Sequence, residues 1–207
     1  MTASEAAGSL EAALDQFAEL VRSSPHNLVS SRARDELKGR HIPECLAFAE
    51  LLPRTGRFLD LGSGGGFPGI VVALHGPERT VHLMDATRKK TAFLRHAAAT
   101  LGIDVEVHTG RAEELGRGEL GRTFDVVTAR AVAPLRMLVA WASPFLRPRG
   151  DLYAIKGERW LAELQEAAPN LKRWGLQVHA TPASDARLGP RSGNPHAPRV
   201  VMLRRAS

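Results

Sequence analysis

The chain has 207 residues, 43% of them hydrophobic, with 28 Lys and Arg against 22 Asp and Glu and a net charge of +6. That length and apolar share suit one folded domain rather than a disordered chain, and no apolar run approaches the roughly 18 residues that a membrane span requires. A single cysteine, Cys45, excludes an internal disulfide and any cysteine-built metal cluster.

The opening residues Met1-Thr2-Ala3-Ser4-Glu5 lack a basic stretch followed by an apolar one, which predicts a cytoplasmic protein. Leu10, Leu14, Phe17 and Val21 recur at helical spacing, predicting an amphipathic helix over about 9–22 that Ser23-Ser24-Pro25 ends. Helical periodicity returns over about 33–52, with Pro43 opening a fresh helix that contains Leu46, Phe48, Ala49 and Leu52. Residues 1–53 are therefore expected to form a helical cap on a core of residues 54–207, the whole being a single domain. His41-x-x-x-Cys45 offers too few ligands for zinc, so both read as ordinary side chains and no metal is expected.

Arg57 to Leu61 reads as a short buried strand that runs into Gly62-Ser63-Gly64-Gly65-Gly66 and then into an apolar run starting at Pro68, suited to the first position of a helix. Glycines let such a turn tighten and let a ligand press against the backbone. Two patterns are met at once. Gly64 to Gly69 fits the dinucleotide fingerprint G-x-G-x-x-G, and Asp60-x-Gly62-x-Gly64-x-Gly66 fits the D-x-G-x-G-x-G loop of S-adenosylmethionine methyltransferases. Both imply a nucleoside cofactor.

Short apolar runs then alternate with helical ones: 81–84, a helix over 87–101, 105–108, 124–128, a helix over 134–146, 152–155 and a helix over 159–171. This alternation predicts an α/β fold with a mostly parallel sheet covered by helices on both faces. Two last strands, 177–181 and 200–203, are joined by a Gly/Pro-rich loop with no helix, which predicts an antiparallel hairpin at the sheet edge. The expectation is a seven-stranded, Rossmann-like class I methyltransferase fold with an N-terminal helical cap. From Arg187 onward there are five arginines and no acid, a segment suited either to phosphate contact or to a solvated surface.

Asp85 closes the second strand 21 residues after Gly64, where a carboxylate can accept hydrogen bonds from both ribose hydroxyls of NAD or of S-adenosylmethionine alike, and can also cap the following helix. Other residues discriminate. A short-chain dehydrogenase needs a tyrosine followed four residues later by lysine, and the sole tyrosine, Tyr153, has Gly157 there. Methylation of an exocyclic base amine usually uses an Asn/Asp-Pro-Pro-aromatic loop after the fourth strand, where this chain has Thr128 to Leu135 (T-A-R-A-V-A-P-L). A pyrimidine carbon would need a cysteine nucleophile, and Cys45 lies in the cap. A ring nitrogen with a free lone pair, such as guanine N7, needs no general base, so the catalytic residue is left unassigned.

Asp60 to Ile70 (D-L-G-S-G-G-G-F-P-G-I), Arg111-Ala112-Glu113-Glu114, Thr128 to Leu135 and Lys156-Gly157 together resemble the RsmG (GidB) methyltransferases over about 57–157. The resemblance implies transfer of a methyl group from S-adenosylmethionine to guanine N7 of 16S ribosomal RNA, with the RNA or the small ribosomal subunit as partner; the sequence does not fix the oligomeric state, and a monomer is the working expectation. The resemblance also implies a cofactor site at Gly62, Phe67, Ala112, Glu113 and Arg130, to which the glycine pattern and the second strand's end add Gly64 and Asp85. Arg130, permanently charged and forked, suits a carboxylate or phosphate, or else a salt bridge to an acid such as Asp125. Lys156 and Arg199 are the candidate RNA contacts. The N-terminal segment departs from the family: Ser24 to Ser30 (S-P-H-N-L-V-S) carries no Trp-Asn pair, and His-x-x-Asp-Ser-Leu becomes His41-Ile42-Pro43-Glu44-Cys45-Leu46. The alternatives are a related methyltransferase acting on another nucleic acid or a small molecule, and a non-catalytic RNA-binding relic.

Overall fold

The computed structural model describes residues 3–190 and 196–207. Seven strands form one sheet: β1 Gly56–Leu61, β2 Arg79–Asp85, β3 Val105–Thr109, β4 Phe124–Arg130, β5 Leu146–Lys156, β6 Leu176–Ala180 and β7 Arg199–Arg205. Their order across the sheet is β3-β2-β1-β4-β5-β7-β6. The pairs β1/β2, β1/β4, β2/β3 and β4/β5 are parallel, and β7 runs antiparallel to both β5 and β6. The closing hairpin is therefore folded back, with β7 inserted and β6 at the edge.

Eight α-helices complete the described chain: α1 Ala3–Ser23, α2 Ser31–Asp35, α3 Ile42–Ala49, α4 Gly69–His75, α5 Arg88–Leu101, α6 Ala112–Leu115, α7 Leu135–Ala142 and α8 Trp160–Trp174. Alternation along β1 sends Phe58 to one face of the sheet and Leu59 and Leu61 to the other. Phe58 joins a core with Phe17, Val21, Phe48, Ile70 and Leu94, drawn from α1, α3, α4 and α5. Leu59 and Leu61 join the core beneath α7 and α8, with Leu138, Val139 and Ala167. Strands buried on both faces explain the continuous apolar runs of β1, β2 and β4.

Two helix boundaries differ from the expected ones, and one helix is additional. The helix expected over 33–52 is broken into α2, a π turn at Leu37–His41 and α3. The helix expected over 134–146 stops at Ala142, because Pro144 lies in a 3-10 turn (Ser143–Phe145) and Leu146 already pairs with Phe124 as part of a longer β5. The short α6 was not foreseen at all.

A buried arginine fastens the cap to the core. Arg79, at the start of β2, donates from Nη2 to Ala49 O (2.9 Å), from Nε to Pro53 O (2.9 Å) and from Nη1 to Val72 O (3.2 Å). Those carbonyls lie at the end of α3, in the linker to β1 and in α4. No helix of the described residues is long and apolar enough to cross a membrane.

Candidate functional site

The carboxyl ends of β1, β2, β3 and β4 converge on one cleft, the place where open α/β sheets hold ligands. Its floor is the glycine loop after β1. The amides of Gly62 and Ser63 both donate to Met84 O (2.8 and 2.9 Å), and Ser63 Oγ accepts from the Met84 amide (3.1 Å), so the loop is stitched to β2. Gly62 has φ +74, and a Cβ there would stand 2.8 Å from Val132 Cγ2; conformation and packing both require glycine. Asp60 does not face the cleft. It is buried, accepts from Thr128 Oγ1 (2.8 Å) and the Gly69 amide (3.2 Å), and burial pushes its carboxyl up to about 6 despite those bonds.

Asp85 sits at the lip of the loop. Its Oδ2 accepts from the Gly64 amide (3.1 Å) and its Oδ1 from the Thr87 amide (2.8 Å), so it anchors the loop and turns the chain into α5. Each carboxylate oxygen keeps lone-pair capacity for a further donor. Asp85 lines a pocket of about 200 Å³ together with Gly62, Met84, Ala112, Glu113 and Trp141. Gly62 also borders a second pocket, about 310 Å³, whose walls include Gly64, Phe67, Arg130, His41 and Leu28. The predicted residues Gly62, Gly64, Phe67, Asp85, Ala112, Glu113 and Arg130 thus come together around one cleft, the loop lying between its halves. The volumes, the carboxylate and the close backbone approach at Gly62 fit a nucleoside cofactor.

The second half belongs as much to the cap as to the core. Phe67, in the loop, packs against Phe17 of α1 at 4.8 Å between ring centroids. Arg130, at the end of β4, reaches across to α3: Nη2 lies 2.8 Å from Glu44 Oε2, Nη1 donates to Cys45 Sγ (3.1 Å), and His41 Nδ1 accepts from Nη2. Its ion-pair partner is therefore Glu44 and not Asp125, which instead accepts from the Arg57 amide (2.7 Å) and pairs with Arg147. Burial, then the charge of Arg130, lowers the His41 imidazole below its usual range, so it is neutral at pH 7 and able to accept. Cys45 lies against Arg130 but is fully buried, and burial pushes its thiol up to about 12. It cannot serve as a thiolate nucleophile.

The two candidate RNA contacts differ in their settings, and Lys156 requires correction. The Lys156 side chain is only 7% exposed; Nζ donates to Ala133 O (2.7 Å) and to Glu163 Oε2 (2.8 Å). Glu163 also accepts from the Leu135 amide (2.9 Å), so the pair clamps the loop that carries Arg130 and Val132. Within that loop Ala131 holds φ +54, a conformation that costs a non-glycine residue of order 1 kcal/mol and persists only if its surroundings impose it. Lys156 is thus a positioning residue, not a surface cation. In the basic C-terminal segment two arginines pair with acids from earlier in the chain, Arg187 with Asp185 (2.6 Å) and Arg204 with Asp151 (2.8 Å), while Arg205 has no acid partner among the described residues. Arg199 is half-exposed with Glu158 at 3.9 Å, and Arg191 lies outside the described residues.

Sequence reasoning assigned no site role to His41, Glu44, Glu163 or Trp141. For His41 and Glu44 a signal existed, since their three-residue spacing places both on one side of a helix beside the cap's departure from the family pattern. Glu163 left no local trace, because its partners lie 7 and 28 residues away.

A family model described as GidB: rRNA small subunit methyltransferase G matches residues 11–188. Ribosomal RNA small subunit methyltransferase G of Thermobifida fusca (strain YX) is 42% identical over 161 residues, covering 76% of this chain and 67% of that protein. The protein of the same name from Halorhodospira halophila (strain DSM 244 / SL1) is 45% identical over 159 residues, covering 76% and 73%. Among solved structures, a predicted O-methyltransferase from Agrobacterium tumefaciens shares the fold with a TM-score of 0.57 at 21% identity, over 80% of this chain and 81% of its own. A match spanning the cap, the cleft and most of the sheet, with such identity over three quarters of the chain, means that this protein belongs to the GidB family of ribosomal RNA small subunit methyltransferases.

Proposed function

We propose that this protein methylates guanine N7 in 16S ribosomal RNA, using S-adenosylmethionine. The observation that carries the reading is the convergence on Gly62: Asp85, Ala112 and Glu113 stand on one side of it, and Phe67 and Arg130 on the other. Asp85 would accept from the ribose hydroxyls, with Met84, Ala112 and Glu113 along the adenine. The half of the cleft bordered by Arg130 and the cap would hold the amino-acid end and admit the target base. Bound there, S-adenosylmethionine supplies an electrophilic methyl group on a sulfonium, which a nitrogen lone pair in line with the carbon–sulfur bond can take.

The protein's share of the work is alignment. The stitched glycine loop and the Lys156–Glu163 clamp fix the two walls before substrate arrives, so that ordering cost is met during folding rather than at the reaction. Guanine N7 already carries its lone pair, so no residue has to remove a proton before attack. On this reading the protein acts as a cytoplasmic monomer without a metal ion.

The test is transfer of labelled methyl from S-adenosylmethionine to small subunits prepared from cells lacking the gene, followed by digestion to nucleosides. Label in 7-methylguanosine of 16S RNA is the expected result. Label in another nucleoside, in protein, or in none would overturn the reading.

A further inference from the structure

A separate cavity of about 580 Å³ opens beside the cofactor cleft, larger than either half of it. Its walls come from the loop after α6, the end of α7, the 3-10 turn at Ser143–Phe145, the end of α8 and the end of β7. Among the described residues only Glu113 and Trp141 border both this cavity and the cleft, and they lie between the two.

The chemistry of the lining is specific. Two of the chain's three tryptophans, Trp141 and Trp174, supply flat apolar surface. Arg117, Arg122 and Arg205 supply positive charge, against a single carboxylate from Glu113. Among the described residues, no side chain hydrogen-bonds or ion-pairs with the side chain of Arg117 or Arg122. Arg205 donates from Nη1 to Ser143 O and Oγ, which leaves its Nε and Nη2 available. Burial, then the neighbouring charge of Arg122, lowers the Arg205 guanidinium below its usual range.

The loop itself is built to stay compact. A Cβ on Gly121 would stand 2.7 Å from Gly116 O, and one on Gly116 would stand 2.9 Å from Pro144 Cβ. The Arg122 amide donates to Pro144 O (2.9 Å), and Ser143 Oγ donates to Trp174 O (2.9 Å), so Arg122 and Trp174 are tied to the same turn. Guanidinium groups and indoles lining one cavity match a ligand with an aromatic ring and an attached phosphate: the ring stacks, and the forked donors take the anion.

We propose that this cavity is a second ligand site, distinct from the cofactor cleft, which binds a nucleoside monophosphate unit with its base against Trp141 and Trp174 and its phosphate on Arg117, Arg122 and Arg205. The unit has two possible sources, an unpaired nucleotide of an RNA strand or a free nucleotide. The site stands whether or not the methyl-transfer reading does, because its test is binding and not turnover.

The experiment titrates GMP, guanosine and a twelve-residue oligoribonucleotide into the full chain, read by tryptophan fluorescence and calorimetry, alongside Arg117→Glu/Arg122→Glu and the milder Arg117→Gln/Arg122→Gln. Both variants alter exposed side chains without partners, so the fold is expected to survive, and an unchanged S-adenosylmethionine affinity checks that the cleft is intact. The expected result is GMP binding that weakens at least tenfold in the Glu variant and less in the Gln variant, with guanosine much weaker than GMP. An oligonucleotide that binds tighter than GMP and loses affinity in the variants identifies an RNA subsite; GMP binding tighter than the oligonucleotide identifies a free-nucleotide site. GMP affinity equal in wild type and the Glu variant, or equal to that of guanosine, would overturn the proposal.

Discussion

Replacing Lys156 by Met keeps the apolar stem and removes the ammonium, leaving Ala133 O without its donor and the Glu163 carboxylate with only the Leu135 amide. Breaking a fully buried ion pair from one side costs about 3–5 kcal/mol, and a hydrogen bond to a charged group is worth about 1.5–3. Because the Glu163 side chain is 23% exposed, water recovers part of that loss, and about 2–3 kcal/mol is expected. For a chain of this length each kcal/mol shifts Tm by about 2–4 °C, so thermal unfolding should fall by roughly 5–10 °C. Loosening residues 130–134 also frees Val132 from Gly62 and Arg130 from its seat, so cofactor Kd should rise about tenfold. The salt dependence of RNA binding should not change. Were Lys156 a phosphate contact, the same substitution would leave Tm alone and flatten the slope of log K against log salt by about 0.7–0.9. Wild-type Tm with a flattened slope refutes the clamp.

Gly62→Ala places a Cβ 2.8 Å from Val132 Cγ2 at φ +74; the left-handed conformation alone costs about 1–2 kcal/mol, and cofactor affinity by calorimetry should fall at least tenfold. Asp60 has a folded pKa of about 6, above its ordinary 3.8, so its ionisation costs about 3 kcal/mol at neutral pH, a cost fully present above pH 6 and relieved as pH falls toward 4. In urea unfolding the wild type should gain stability relative to Asp60→Asn between pH 7 and pH 5; a pH-independent difference would contradict this. Glu163 works with the opposite sign. Burial raises its carboxyl, but the Lys156 hydrogen bond and the Leu135 amide outweigh that and hold it below 4.5, so its contribution is present above that pH and disappears as pH falls further. A stability difference between wild type and Glu163→Gln that fails to shrink on acidification argues against it. Cys45, with its thiol raised to about 12 by burial, should resist iodoacetamide at pH 8 in the native state and react once the protein is unfolded; labelling of the folded chain would be the contrary result.

What was legible in the sequence was local. The glycine loop, the Asp85 strand end and each step in the alternation of apolar and helical runs are local signals, and the structure places them in one mostly parallel sheet with its cleft at Gly62. Contacts between distant segments were not legible. Arg130 meets Cys45 and His41 across 85 and 89 residues, and nothing near Arg130 announces a partner in the cap. Lys156 at a strand end looks the same in sequence whether it points to water or into a loop, and here the Arg130–Leu135 turn folds over it. The C-terminal arginines read as one charge run in sequence, but Asp151 reaches Arg204 across the sheet from β5, a pairing that no local pattern shows. Pro144 was visible, but only the pairing of Leu146 with Phe124 decided that the chain leaves the helix there for β5.

The central claim is that one cleft, with Asp85 at its lip, holds S-adenosylmethionine, and calorimetric titration of that compound into wild type and Asp85→Ala tests it most directly. The account predicts one cofactor per chain in the wild type and affinity at least roughly 30-fold lower in the variant, the equivalent of about 2 kcal/mol for lost bonds to a charged acceptor. No binding to the wild type at millimolar cofactor, or equal affinity in the two proteins, would contradict it.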